Sequence, residues 1–474
     1  MRGDTRGNAP TGLELAVAAQ ITVFLIGVSW AFGGNADWVR TPISIWGSLG
    51  TGLTLVIVAA RGHRGRIIPG SLAWALPVLV LCALVLLSCL TPGYRRMASE
   101  GGAFLMPLNV PWWVPSAALP GVTLSALWLF SGIYFSAFNL ALAVRDRGVI
   151  RMVLAVAVGN ALVLAVFGTI QKLVGSGGIY FGAIRSPQDY FFASFVYDNH
   201  WGAFMILMIG ACAGLTLRYA FGSRGEGFFR GPSFAGLVAA SLLAVSVPLS
   251  GSRACTLMLG ILLVVALWKG APKIADSLGA SGADPALALV GILLMTILAI
   301  FGAWIVAGDV VRSRASMAKA QIAAIVSQGG LGTRAILYRD TLRMARERPA
   351  FGWGMGSFPS VFPLYNSQKP GIDRIPVVYH DAHSDWLQSI AEIGCVGTLL
   401  IGASVALPAR VLFRRHVSKL PYFLAAGCIL VAAYAWVEFP FGNVAVVLAW
   451  WLCFFSSVQY LRLSGHAEML PRGS

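Results

Sequence analysis

Charge is scarce in this chain: Asp, Glu, Lys and Arg make up 11% of the residues, where an average soluble domain carries roughly 25%. Together with a hydrophobic share of 57% and a mean hydropathy of +0.75, this excludes a water-soluble globule. Acidic residues are the scarcer sign, 19 against 35 basic, which leaves a formal net charge of +16. The basic residues sit in short clusters between apolar runs and form no continuous polar face, which argues against nucleic acid as the partner. Anionic lipid headgroups or an anionic substrate remain. Cysteine is also sparse: Cys82, Cys89, Cys212, Cys255, Cys395, Cys428 and Cys453 are odd in number, lie in or beside apolar runs and show no CxxC spacing. They read as small buried apolar residues, with no disulfide framework or metal site. A P-loop is missing, as is a GxGxxG in strand–turn–helix context.

What the chain has instead is a series of apolar runs near the ~20 residues that span a bilayer. They fall at 14–33, 42–60, 70–90, 122–144, 151–173, 200–220, 233–250, 254–268, 285–307, 395–412, 421–438 and 441–461. The expected fold is therefore an all-α polytopic membrane protein with about twelve spans. Residues 1–307 hold the first nine, a large loop covers 308–394, and 395–469 hold the last three. The first run is long and lacks a small-residue cleavage motif, so it reads as a span and not as a cleaved signal. The terminal Leu470–Ser474 reads as a tag remnant.

Loop charge sets the orientation. Arg61, Arg64 and Arg66, then Arg145, Arg147 and Arg151, then Arg218, Arg224 and Arg230, then Lys269 and Lys273, then Arg410, Arg414, Arg415 and Lys419 all share one side if both termini are cytoplasmic. Segments 91–121, 174–199, the Ser250–Arg253 turn and 308–394 then face outward. An outward site has no ATP or nucleotide sugar to draw on. A synthesis there needs a donor that was activated and flipped beforehand, such as a polyprenyl-pyrophosphate-linked sugar.

Several outward residues are candidates for chemistry. Arg185 stands among aromatics beyond a glycine-rich stretch, and Asn199 and His200 open a span, where they either cap it or contact substrate. The aromatics Tyr190, Tyr197 and Trp201 read as an interfacial belt. Arg253, in a four-residue turn, either snorkels to the interface or clamps phosphate oxygens with its planar fork. Thr333 to Pro349 reads as an amphipathic helix bearing Arg334 at its start, followed by the alternating glycines of Gly352-Trp353-Gly354-Met355-Gly356. A further helix is expected from an N-cap at Asp381, with His383, Leu387, Ile390 and Gly394 on one stripe and Asp385 on a neighbouring face. A histidine there is either a hydrogen-bonded core residue or a proton acceptor. The helix N-terminus lowers its pKa while Asp381 and Asp385 raise it, so the net sign stays open. His380 and His383 with the aspartates match no metal-ligand signature, and no metal is expected.

Taken in order, these motifs resemble the O-antigen ligase and polymerase superfamily of bacterial membrane glycosyltransferases. Gly168-Thr169-Ile170-Gln171 is similar to its Gly-x-x-Gln, Tyr197-Asp198-Asn199-His200 to its Asn-x-Asn or Asn-His signature, and Ser252-Arg253 to its helix-opening Ser-Arg. Arg334 through Gly356 and His383-Ser384-Asp385-Trp386-Leu387-Gln388 with Glu392 and Gly394 are similar to its remaining motifs, with Ser384 where the family usually has Asn. The resemblance implies a GT-C-like arrangement in the bacterial inner membrane. It also implies a metal-independent, cofactor-free transfer of a glycan from undecaprenyl pyrophosphate to an acceptor hydroxyl at the periplasmic face. His383 would be the base, Arg185 and Arg253 would hold the pyrophosphate, and Arg334 would line the same site. One base without a second carboxylate implies single displacement with inversion. Expected partners are the lipid-linked donor, lipid A-core or another glycan as acceptor, and membrane lipids. The roughly twelve-span layout favours a ligase over a polymerase or an O-oligosaccharyltransferase. A transporter fits poorly, since the spans are nearly free of charge and no six-plus-six symmetry is visible.

Overall fold

A computed structural model describes residues 10–62, 71–99, 102–188, 190–222, 232–279, 333–368, 378–413 and 418–469. Twelve long helices carry the architecture among them: α1 Gly12–Trp30, α2 Asp37–Gly62, α3 Leu76–Ser88, α4 Pro120–Ala143, α5 Arg147–Leu173, α6 Asp198–Gly222, α7 Pro232–Ser250, α8 Arg253–Gly279, α9 Thr333–Glu347, α10 Asp385–Ala409, α11 Lys419–Tyr434 and α12 Val444–Met469. Among the described residues, eight helices are long and apolar enough to cross a membrane, and shorter apolar helices occupy Leu72–Ser88, Phe234–Ser250 and Lys419–Tyr434. They coincide with the expected runs. The run at 285–307, with Lys273's side chain and much of the outward loop, lies outside the described residues.

The helix ends show why the chain breaks where it does. At the start of α1, Thr11 and Glu14 form a reciprocal capping box. The same Glu14 carboxylate accepts the Arg145 amide at 2.6 Å, which ties α1 to the α4–α5 connection. Asp146 caps α5 through the Gly148 amide at 2.8 Å. Between α2 and α4 the backbones meet at small residues. Gly47 faces Gly132, Gly50 faces Ser136, and Asn139 donates to the Gly50 carbonyl at 2.8 Å. Close contact through small side chains is how helices associate where lipid removes the hydrophobic drive. Helices α6 and α12 form the centre. Tyr134 and Phe138 of α4 meet Trp451 and Phe455 of α12 there, Tyr134 lying 4.9 Å from Trp451. Leu55, Val163, Leu257, Leu399 and Ile429 remain exposed on outer helix faces, as a lipid environment allows.

The described residues are almost wholly helical, as expected of an all-α membrane protein; the exception is one antiparallel hairpin, Tyr94–Ser99 (β1) with Gly102–Pro107 (β2). The described part of the 308–394 stretch packs with other segments. Its apolar core joins Leu337, Met344, Trp353, Phe358 and Phe362 with Tyr94 and Ala118 from the hairpin segment and Ala391 from α10. Arg348 stacks over Trp353 at 4.6 Å and bonds the Ser116 hydroxyl, so the two outward segments are clasped together. The last three spanning helices accordingly begin at Asp385, inside the stretch read as loop.

A side chain at Gly132 would put its Cβ 2.8 Å from the Gly47 Cα. Gly132→Val should therefore cost about 1–3 kcal/mol, seen as a lower thermal midpoint in size-exclusion analysis of detergent-solubilised protein. Gly52→Ala on the partner helix α2, where an added Cβ meets nothing within 4 Å, should not lower it. Equal midpoints for the two variants would contradict the close α2–α4 crossing.

Candidate active site around His383 and Glu438

The site is built on the turn between α11 and α12. Its start continues helical bonding, Val437 and Glu438 donating to the Tyr434 carbonyl at 3.0 and 3.1 Å. The segment preceding α10 is pinned against it. The Asp385 amide donates to the Ala435 carbonyl at 2.9 Å, and the Asp385 carboxylate accepts the Phe441 amide at 2.8 Å. This places two distant stretches side by side and brings His383 over Glu438.

His383 is not on the helix stripe. Ser384, not Asp381, is the N-cap of α10, its hydroxyl accepting from the Leu387 amide. His383 precedes it in the left-handed region, φ +51°. Such a conformation costs a non-glycine residue of order 1–3 kcal/mol and persists only when its surroundings hold it. Here the Tyr338 hydroxyl donates to the His383 carbonyl at 2.8 Å and the Gln388 side chain accepts the Ala382 amide at 2.9 Å. The imidazole Nδ1 lies 3.4 Å from Glu438 Oε2, and the ring stands edge-on to Phe439 at 4.8 Å. The other Glu438 oxygen pairs with Arg334 Nη2. Arg334 Nη1 also reaches the Val437 carbonyl at 3.4 Å. Glu438 itself is 4% exposed. Burial pushes its pKa upward, but the His383 hydrogen bond and the Arg334 charge outweigh that and hold the carboxyl below its ordinary range. An ionised Glu438 accepting from Nδ1–H leaves His383 Nε2 as the lone-pair nitrogen, and Nε2 has no protein partner among the described residues.

Other candidates support the turn. Phe439 is stacked on Tyr197 at 5.4 Å and meets the His200 ring edge-on at 5.0 Å. His200, 3% exposed, has both nitrogens engaged: Nδ1 with Asn35 Nδ2 at 3.3 Å and Nε2 with the Phe439 carbonyl at 3.1 Å. Asn35 in turn accepts from Asn443 at 3.2 Å, so its amide nitrogen faces the ring and the proton belongs on Nε2. His200 is thus a buried clamp on the turn, and no nitrogen remains for substrate. Asn199 donates to the Tyr197 hydroxyl at 2.9 Å and accepts from the Ser252 hydroxyl. That contact brings the start of α8, with exposed Arg253, towards the same cluster. Trp201 departs from the interfacial-belt reading: it is fully buried, 4.9 Å from Phe192. His380 is exposed near the cluster without a hydrogen bond among the described residues.

Arg185 lies elsewhere. It lines a cavity of about 830 Å³ with Gln171, Lys172, Ser176 and Ser186, and His383 is not among the residues lining it. The Gly-x-x-Gln motif frames that cavity. A Cβ at Gly168 would collide with the Phe192 ring, and Gln171 donates to the Ala193 carbonyl at 3.1 Å.

The glycine run has a structural task. Gly394, at φ +67°, breaks α10 where the backbone abuts the Ala350 carbonyl. Buried Glu392 there accepts the Gly356 amide at 2.7 Å, the Phe358 amide at 3.1 Å and the Gln388 amide at 3.2 Å. Among the described residues, no group of three or more His, Cys, Asp or Glu side chains is arranged to hold a metal ion.

Residues 238–402 match the O-antigen ligase family. The matched segment supports the resemblance to O-antigen ligases and polymerases and, in general, an O-antigen ligase-type glycosyltransferase. No curated protein matches the chain. The O-antigen ligase segment contains Ser252, Arg253, Arg334, the glycine run, His383 and Glu392, and it stops short of Glu438. Glu438 is the residue that sequence reasoning missed. Its signal was a lone carboxylate at the end of the 421–438 apolar run, where an acid is costly unless it has work to do.

Because its folded pKa is lowered, the Glu438 contribution to stability is full above the ordinary carboxylate range and lost as pH falls through the lowered value. Glu438→Gln should therefore melt below wild type at neutral pH, and the gap should close on acidification. A gap that stays constant from neutral pH to about pH 3 would show that the carboxylate charge is not what matters.

Proposed function

We propose that this chain is a metal-independent, inverting glycosyltransferase. It would move a glycan from undecaprenyl pyrophosphate to an acceptor hydroxyl on the periplasmic side of the bacterial inner membrane, with lipid A-core as the acceptor. The observation that carries this reading is the His383–Glu438–Arg334 group, an imidazole with a free Nε2 oriented by a buried carboxylate that is itself held by a guanidinium.

The chemistry follows from the nitrogen that is left open. His383 Nε2 takes the proton of the acceptor hydroxyl as its oxygen attacks the anomeric carbon, a role worth about 10²–10⁴ in rate. The imidazolium so formed is stabilised by the Glu438 carboxylate. The glycosidic C–O bond breaks with its electron pair passing to the pyrophosphate oxygen. Arg253, with the Arg334 N–H groups not spent on Glu438, meets that growing charge. A charge pair at 4 Å is worth about 4 kcal/mol at an effective dielectric near 20, so two guanidiniums match or exceed the base. With one displacement and no covalent intermediate, the anomeric configuration inverts. The matched segment supports an O-antigen ligase-type activity; the donor and acceptor are this reading's own additions.

His383→Ala should lower glycan transfer from an undecaprenyl-pyrophosphate donor by about 10²–10⁴ while the protein elutes as wild type. Near-normal transfer would remove His383 as the base. Arg253→Gln should lower kcat by about 10²-fold without shifting the acid limb of the pH profile. The anomeric coupling of the product, read by NMR, should report inversion, and EDTA should leave the rate unchanged. Offering lipid A-core and a second lipid-linked repeat unit side by side separates a ligase from a polymerase.

A further inference from the structure

The cavity that holds Arg185 is not explained by the transfer step. Its size is the first clue. At about 830 Å³ it falls in the ~300–1,000 Å³ range of pockets that enclose whole ligands, far more than a pyrophosphate fills. Its walls are the second. Gln171, Ser176 and Ser186 supply amide and hydroxyl groups, Lys172 and Arg185 supply cations, and Phe191 supplies an aromatic face.

The loop around it is built to stay open. Gln171 accepts the Phe181 amide at 3.1 Å with one end of its side chain and holds the Ala193 carbonyl with the other. Ile179 and Ile184 exchange backbone bonds at 2.8 and 3.1 Å, and the Tyr180 hydroxyl anchors to the Trp30 carbonyl. Tyr180, Phe181 and Ala193 all hold positive φ, strain that only a fully determined loop retains. Arg185 follows directly on the Ile179–Ile184 turn. It is exposed and without a hydrogen bond or ion pair among the described residues.

Neither His383 nor Glu438 is among the cavity's lining residues. Phe192 on its wall packs against Trp201, which packs in turn against Phe195. An outward guanidinium amid amide, hydroxyl and aromatic groups, in a chamber several sugars wide, suits a polyhydroxylated anion. We propose that this cavity binds an acidic stretch of the glycan, its carboxylates on Arg185, at sugars removed from the transferred linkage. This rests on the glycan-transfer reading and reassigns Arg185 from the pyrophosphate to the saccharide. Binding energy taken from remote sugars positions the reacting end.

The test measures binding to the full chain in phospholipid-free detergent micelles by thermophoresis, with oligogalacturonate as the acidic probe and maltohexaose as the neutral one. Wild type should bind oligogalacturonate and not maltohexaose. Arg185→Gln should weaken that binding about tenfold or more, a contact of ordinary charge-assisted strength, and Arg185→Lys should restore most of it. Ser186→Trp, which fills the cavity without touching the charge, should weaken it as well, and elution volume and melting point verify folding of each variant. Unchanged binding in both Arg185→Gln and Ser186→Trp would overturn the proposal, as would equal affinity for the neutral probe. Loss of inorganic pyrophosphate binding in Arg185→Gln with oligogalacturonate unaffected would return the residue to the leaving group. Displacement of the probe by phosphatidylglycerol in nanodiscs would make the cavity a headgroup site. The transfer assay on His383→Ala decides the catalytic reading by itself and leaves this binding result standing or falling alone.

Discussion

A carboxylate withdrawn from water must be paired, and the cluster of side chains at Glu438 is arranged around that requirement. Removing an ion from solvent costs several kcal/mol even after relaxation, and Glu438 recovers it only because a guanidinium and an imidazole reach it from opposite ends of the outward loop. Arg334 comes from the start of α9 and His383 from the residue before the cap of α10. Neither can be displaced without leaving the buried acid uncompensated. The pairing therefore determines where α9 docks and how the chain enters α10, as well as which imidazole nitrogen is available. The turn itself is restrained from behind by His200, Asn35 and Asn443, all uncharged and all mutually bonded. Rigid neutral groups behind and adjustable charged ones in front are what a site needs if its charges must respond to a substrate while its backbone does not move.

Comparison with Glu392 sharpens the point. Both acids are buried, yet Glu392 spends its oxygens on backbone amides of the glycine loop and on Gln388. Its partners are neutral and local, so it acts as a rivet between α10 and the loop core. Asp340 accepts the Ser367 amide and hydroxyl at 2.7 and 2.6 Å and also the neighbouring Arg339 Nε at 3.3 Å. Glu438 instead joins two ionisable side chains from separate elements, Arg334 and His383. Burial of a carboxylate thus does not mark a site; the charge and accessibility of its partners do.

These distinctions also decide what could be read from the sequence. Spans were legible because lipid imposes one solution, a helix of apolar residues about 20 long, and α9 was legible from its amphipathic period between Thr333 and Glu347. The two-stranded hairpin was not, since Tyr94–Pro107 is short and carries no strong turn dipeptide. His383 was assigned to a helix face because the period of Leu387 and Ile390 extrapolates smoothly back to it. Sequence has no mark for a non-glycine residue held at positive φ by tertiary contacts, so the three-residue shift of the cap from Asp381 to Ser384 was invisible. Trp201 was misplaced for a related reason, as an aromatic at a span boundary looks the same whether it faces lipid or Phe192 and Phe195. Glu438 disappeared into the tail of an apolar run, because what distinguishes it is a contact with residues in another part of the chain.

The distribution of cations closes the argument about partners. Loop charge explains the arginines on the side assigned to the cytoplasm, and orientation gains nothing from arginines on the other. The three arginines singled out as site candidates fall into two groups with different surroundings. Arg334 is committed to a buried acid, and Arg253 stands one residue from a serine tied to Asn199. Arg334 contacts the turn that presents His383, and Arg253 opens α8 beside the Asn199 contact. Arg185 shares a chamber with hydroxyl and amide groups. A phosphate ester needs concentrated charge at one point, while a glycan needs modest charge dispersed among hydrogen-bonding groups. The first group meets the first description and the second group the second. On the proposed glycan-transfer reading, a protein that holds both ends of a lipid-linked saccharide has reason to keep the two apart.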